Sequence, residues 1–258
     1  MAIHSTAIIH PKAEIAADAD IGPYCIVGSD VRIGARTRLM AHVFLEGKLQ
    51  IGEDNVFFPY CSCGVAPQDL KYAGEPSETR IGSRNKIREF VTIHRGTRGG
   101  GMLTAIGDDN LLMAYVHVAH DVIIGSHTIL ANGVTFAGHV IVDDYANVGG
   151  LSAVHQFVRI GQHSMVGSRS VIKQNVLPFS ITASQHESSI YGANRVGLQR
   201  HGFTAEEIEP LQNAFRILGH ASLNTTQAIA RIEQEIPETA ALKELLAFIQ
   251  ASERGFIK

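Results

Sequence analysis

Histidine is the side chain best suited to move a proton near neutral pH, and seven of the thirteen histidines in this 258-residue chain fall between His94 and His163. Asp121 follows His120 directly, and His117-x-x-His120 forms a second close pair. Gly138 and Gln156 come eighteen and thirty-six residues after His120, and His139 comes eighteen after Asp121. If the chain returns to the same place every eighteen residues, these side chains stack at one corner. A base, a carboxylate, an unhindered backbone amide and further polar groups then lie on the order of 10–15 Å apart. Acylation of a hydroxyl group needs a base to take its proton and a donor for the oxyanion, and His120 and the Gly138 N–H could supply them. The alternative is a row of exposed polar corner residues, or histidines packed between subunits. The His117 and His120 pair also suits a shared metal ion, but no third acidic or thiol ligand falls in register, so no metal is expected.

The eighteen-residue return follows from an aliphatic repeat. Apolar residues recur every six positions as Ile3, Ile9, Ile15, Ile21, Val27, Ile33, Leu39, Leu45 and Ile51, then as Ile81, Ile87 and Ile93. The longest run is Ile106, Leu112, Val118, Ile124, Leu130, Phe136, Val142, Val148, Val154, Ile160, Val166 and Ile172. A helix would scatter a six-residue period over three directions, and no single strand continues through twelve hexads. The chain must therefore turn once per hexad, with glycines such as Gly22, Gly107 and Gly161 after the aliphatic residue and mostly small residues or Val two places before it. Three hexads make one triangular coil, stacked on the next at ~4.8 Å.

Two segments interrupt the repeat, near 64–79 and 95–104, the second carrying Gly99, Gly100 and Gly101. Loops that leave a regular solenoid are often functional. From Thr204 the pattern is helical, with a Thr204-x-x-Glu207 capping box, and Pro237 separates two further helical stretches. The expected organisation is a solenoid over 1–190 and an α-helical C-terminal domain over 191–258.

Twenty-five acids against twenty-two Lys and Arg give no overall basic balance for a nucleic-acid partner. No stretch is apolar enough to span a bilayer, and the N-terminus has no secretory pattern, so a cytoplasmic protein is expected. Cys25, Cys61 and Cys63 fit neither a disulfide framework nor a usual zinc spacing and read as free thiols.

The [LIV]-G-x4 repeats resemble those of the hexapeptide-repeat acyltransferases, which implies a left-handed parallel β-helix. More specific strings are QDLKYAGEP (68–76), TIHRGT (92–97), DNLLMAYVHVAHD (109–121), AGHVIVDD (137–144), AVHQF (153–157) and VGLQRHGF (196–203). Through them the chain resembles the UDP-N-acetylglucosamine acyltransferase family of lipid A biosynthesis over essentially its full length. The resemblance implies transfer of a fatty acyl group, 3-hydroxylated in expectation, from acyl carrier protein to the glucosamine 3-hydroxyl of UDP-N-acetylglucosamine. It implies a homotrimer with sites between subunits and no cofactor beyond the pantetheine thioester of the co-substrate.

Carried over by position, the resemblance makes His120 the general base, Asp121 its orienting group and the Gly138 amide the oxyanion donor. Gln68, Asp69, Lys71, His94, His117, His139 and Gln156 would hold sugar, diphosphate or pantetheine, and Asn194 and Arg200 the nucleotide. Without the motif, Lys71 reads as an ordinary solvated lysine. Ser168 matches the position that ends the acyl pocket, although a coil also demands a small residue there. Arg195, Arg200 and Arg216 offer docking charges to an acidic carrier protein.

Three departures touch the nucleotide region. Ser184, Gln185, His186 and Glu187 replace a Gly-Asn-x-Ala stretch with one additional residue before Asn194, Val196 stands for an acid, and His201 for a second basic residue. Rival readings are transfer to a 3-amino sugar, a carbonic-anhydrase-like zinc solenoid, and a non-catalytic scaffold.

Overall fold

The computed structural model describes residues 2–184 and 188–258. Short strands, parallel except for the last of the first face, build three faces, of eleven, nine and eight strands among the described residues. The chain visits the faces in turn, so Asp20–Ile21 lies on the first, Ile26–Val27 on the second and Val31–Ile33 on the third. Eighteen residues separate partners on neighbouring coils, as in His117 with Thr135 and Thr135 with Ala153. The repeat puts its aliphatic residues inside: Leu39, Phe57, Ile87, Leu112 and Leu130 are each no more than 1% exposed. Every coil thus covers the apolar layer of the next, and backbone groups pair from coil to coil.

Corners need a residue in the left-handed region, and nineteen described non-glycine residues take φ between 52° and 68°. Such a conformation costs on the order of 1–2 kcal/mol per residue. Stacking offsets it. Along one edge Tyr24, His42, Tyr60, Phe90 and Tyr115 lie ring on ring with centroids 4.9–5.1 Å apart.

A second regularity is polar and buried. Thr37, Asn55, Asn85, Asn110 and Thr128 occupy the position two before the inward aliphatic residue and are at most 2% exposed. Asn85 donates to Asn55 Oδ1 at 3.0 Å and to the Gly107 carbonyl at 2.9 Å, while its Oδ1 accepts the Asn110 amide at 2.9 Å. Each side chain closes its own corner and pins the next.

Both interruptions leave the same edge, between the second and third faces. The first joins Ser62–Val65 to Glu78–Ile81, and the second joins Thr92–His94 to Leu103–Ile106. Ser62 pairs with Thr92, thirty residues on, and Thr92 with His117, twenty-five residues on, so the loops add twelve and seven residues to coils that otherwise keep step.

The last strand of the second face is Val171–Ile172, but the first face continues with Ser180–Ser184, against which Ser188–Ala193 folds back antiparallel. Four helices follow: α1 (Arg195–Arg200), α2 (Ala205–Leu218), α3 (Thr225–Glu235) and α4 (Ala240–Gln250). Thr204 and Glu207 form the expected capping box on α2. These helices have a core of their own, containing Leu198, Leu211, Phe215, Ile232 and Leu245, separate from the aliphatic column of the solenoid. All three cysteines are free and buried, and burial pushes the Cys61 thiol up to about 12.

Asn85→Ala should cost roughly 3 kcal/mol of unfolding free energy, because it strands the Asn110 amide and the Gly107 carbonyl away from water, while Asn55 Oδ1 keeps only the backbone amide of residue 85. A chemical-denaturation midpoint measured beside wild type reads that loss.

Candidate active site

The edge from which both loops depart is also the edge of the histidine stack. His117–Val118 is a strand of the second face, and the turn after it carries His120 and Asp121. One coil on come Gly138 and His139, and one coil further Gln156 and Phe157. Backbone hydrogen bonds from His139 to the His120 carbonyl and from Phe157 to the Gly138 carbonyl hold the levels together. The imidazole of His139 stacks on Phe157 with centroids 4.4 Å apart and meets His120 edge-on at 5.0 Å.

His120 Nδ1 lies 2.8 Å from Asp121 Oδ2. A carboxylate only accepts, so Nδ1 carries the proton and Nε2 is left with its lone pair. The Asp121 side chain is fully buried and that of His120 is 17% exposed, which gives a dry carboxylate behind a reachable base. Asp121 is anchored from several sides: Thr97 donates its amide to Oδ1 at 2.9 Å and its hydroxyl to Oδ2 at 2.6 Å, and the Thr104 hydroxyl accepts the Asp121 amide at 2.8 Å.

Gly138 is glycine because of His120. A Cβ there would fall 2.5 Å from His120 Cε1 and 2.7 Å from Nε2, so the ring lies directly against the glycine backbone. Among the described residues none accepts the Gly138 amide hydrogen, which remains available beside the base.

The surrounding histidines are held neutral. Burial, with His117 and His120 nearby, pulls His94 down to about 4. Burial also lowers His117 and His139, although Asp121 and Asp69 pull His139 the other way. His117 Nδ1 pairs with the Thr92 hydroxyl at 2.7 Å, while His94 Nδ1 is buried without a partner. Only His120 has the carboxylate within hydrogen-bond distance, because His139 Nδ1 stands 4.0 Å from it.

Register paired His120 with His117 and found no acidic third ligand, whereas the geometry groups His120, Asp121 and His139, with ligand-capable atoms within 4.8 Å of one another. Asp121 and His139, eighteen residues apart, both take the left-handed turn conformation at this corner, in keeping with the count by eighteen. Its oxygens are already engaged by Thr97 and His120.

Other expected residues scatter over the prism. Gln68, Asp69 and Lys71 lie on the first loop at the His120 edge; Gln68 and Lys71 are exposed, and Asp69 accepts the Lys71 amide at 3.0 Å. Gln156 is exposed on the stack. Ser168, exposed, sits on the edge between the first and second faces. Asn194 caps α1 and donates to the His163 carbonyl at 3.0 Å on the edge between the third and first faces, and Arg200 ends the same helix. In one chain these groups therefore occupy three different edges.

Of the departures, Val196 is exposed, and His201 Nδ1 lies 3.0 Å from His163 Nδ1. Gln185, His186 and Glu187 fall outside the described residues. Register gives no sign of Thr97 and Glu75, although Thr97 ends the TIHRGT string and Glu75 stands within QDLKYAGEP.

Residues 104–138 match the bacterial transferase hexapeptide family, and residues 175–257 match the second domain of UDP-N-acetylglucosamine O-acyltransferase. The chain is 49% identical over 256 residues to an acyl-[acyl-carrier-protein]–UDP-N-acetylglucosamine O-acyltransferase of Thermodesulfovibrio yellowstonii, with 99% of each covered. The LpxA structure of Acinetobacter baumannii superimposes with a TM-score of 0.95 at 43% identity, with 99% of each chain covered. The UDP-N-acetylglucosamine acyltransferase of Bacteroides fragilis superimposes at 0.96 with 39% identity, over 99% of this chain and 100% of that one. The fold is the expected left-handed parallel β-helix with a small α-helical C-terminal domain. Identity of this extent across the whole chain places it in the UDP-N-acetylglucosamine O-acyltransferase family.

Proposed function

We propose that the chain transfers a fatty acyl group from the pantetheine thioester of acyl carrier protein to the glucosamine 3-hydroxyl of UDP-N-acetylglucosamine. The observation that carries this reading is the His120–Asp121 pair set against the Gly138 backbone. His120 Nε2 takes the hydroxyl proton as the sugar oxygen attacks the thioester carbonyl. The Gly138 N–H receives the oxyanion of the tetrahedral intermediate, and collapse expels the pantetheine thiolate, which recovers the proton from His120. Asp121 keeps Nδ1 protonated and stabilises the imidazolium between the two transfers. The neutral His94, His117 and His139 add no competing positive charge. No resident cofactor is called for, since the thioester supplies the activated acyl group. A 3-hydroxyl acceptor is favoured over a 3-amino one because the relatives at 49% and 43% identity are named O-acyltransferases.

The reading extends to assembly. A site that uses His120 together with Asn194, Arg200 and Ser168 has to draw them from more than one copy, since one chain holds them on separate edges. A homotrimer with sites between subunits meets that requirement. Gln68, Asp69, Lys71 and Gln156 then face the sugar nucleotide or pantetheine, Asn194 and Arg200 the nucleotide, and Ser168 the end of the acyl chain. Arg195 and Arg216 border one cavity of about 270 Å³ on the helical domain, which Glu209 also lines, and offer charge to an acidic carrier protein. No described helix is long and apolar enough to cross a membrane, and we place the reaction in the cytoplasm.

Three outcomes test the reading. Against a panel of acyl-carrier-protein thioesters, wild type should form a 3-O-acyl product identified by mass, and His120→Ala should lose at least ~10²-fold in kcat; no product from any donor would sink the proposal. Gly138→Ala should lower kcat by a similar factor without unfolding the chain, because the added methyl group displaces the imidazole. Co-assembly of His120→Ala with Arg200→Ala chains should restore measurable turnover that neither variant shows alone, whereas a site confined to one chain gives none.

A further inference from the structure

The two inserted loops are joined to each other, and the junction ends on Asp121. In the second loop Thr97 is 4% exposed and gives both its donors to the Asp121 carboxylate. Its hydroxyl goes to Oδ2, the oxygen that also takes His120 Nδ1–H. Gly100 presses on the same carboxylate: a Cβ there would lie 2.0 Å from Asp121 Cγ and 2.3 Å from Oδ2. The loop thus covers the group with a glycine backbone and leaves no room for water.

The first loop holds the second through Glu75, which is 7% exposed. Its Oε1 accepts the Arg98 amide at 3.0 Å, one residue from Thr97, and its Oε2 accepts the Ala73 amide at 2.9 Å. These backbone donors hold the Glu75 carboxyl below the usual range, so it remains an ionised acceptor at neutral pH. The Tyr72 hydroxyl donates to the Glu75 carbonyl at 3.1 Å and fixes the bend.

We propose that Thr97 is a positioning residue for the His120–Asp121 dyad, and that Glu75 is the clamp between the loops that keeps Thr97 in place. The inference rests on the acyl-transfer reading above and deepens it. Two donors from one residue pin both carboxylate oxygens, which fixes the carboxylate plane and, through Oδ2, the direction of the imidazole. The other groups around Asp121 do not do this: Thr104 accepts from its backbone amide, and His139 stands 4.0 Å away. Because the Asp121 side chain is fully buried, no solvent molecule replaces a donor that is removed.

Steady-state kinetics of Thr97→Val, Thr97→Ser and Glu75→Gln, each as the full chain, test the proposal. Thr97→Val should lower kcat about 10–100-fold, the range set by one hydrogen bond to a charged group, with KM for both substrates within about threefold. Thr97→Ser keeps the hydroxyl and should recover to within about threefold of wild type. Glu75→Gln, whose amide group meets a backbone N–H with a donor, should lower kcat about 3–10-fold and speed hydrogen exchange of the 95–102 amides. Full kcat in Thr97→Val, a Ser variant as poor as Val, or a loss confined to KM would overturn the role of Thr97. Unchanged kcat and exchange in Glu75→Gln would overturn the clamp. A wild type that turns over no donor sinks the acyl-transfer reading instead, and nitrogen-labelled histidine spectra then decide this inference alone. The His120 Nδ1–H resonance should weaken in Thr97→Val and persist in Thr97→Ser; its persistence in both would overturn the proposal.

Discussion

Coil-to-coil register is the constraint on which everything else depends. Each strand is only two to four residues long through most of the solenoid, too short to be stable alone, and is held by parallel partners above and below and by one inward aliphatic side chain. A shift of one residue would turn that side chain outward on every coil. The buried Thr37–Asn55–Asn85–Asn110–Thr128 ladder guards against such a slip, since each asparagine bonds across a fixed step to the next level. It continues through the two coils that carry insertions, where the risk of slippage is greatest.

Because register survives the insertions, the edge that bears them can hold chemistry while the faces supply stiffness. The base sits on a turn whose backbone is fixed by neighbouring coils, and its supporting carboxylate is sealed by a loop that left the coil one level earlier. Rigid scaffold and irregular cover meet at Asp121. The left-handed backbone of that residue, strained in isolation, is held by the Thr104 hydroxyl on its amide and by Thr97 on its side chain.

Much of this was legible in the sequence wherever contacts repeat at eighteen. The stack of His120, Gly138 and Gln156 follows from counting, as do the aliphatic column and the edge that carries the loops. Contacts made by the loops do not follow: Thr97 reaches Asp121 over twenty-four residues and Glu75 reaches Arg98 over twenty-three, neither a multiple of the coil. For Ser168 the same count points away from the His120 corner. It stands forty-eight residues after His120, two coils and two-thirds of a third, and so belongs to another edge. The Ser180–Ser184 and Ser188–Ala193 hairpin is not legible in the sequence because its strands lack alternation; the first takes its place from pairing with Met165–Val166 and the second from pairing with the first. Helix α1, six residues with a glycine inside, has little intrinsic helical signal and is set by its Asn194 cap.

The constant coil height has a metrical consequence. Any groove that runs along the solenoid axis is graduated in steps of ~4.8 Å, because the corner residues that line it arrive one per coil. Whole coils can lengthen such a groove only in those increments, and finer adjustment has to come from the size of a single corner side chain. A molecule of this kind measures a long ligand as a vernier does, with a coarse scale fixed by the backbone and a fine scale written in side chains.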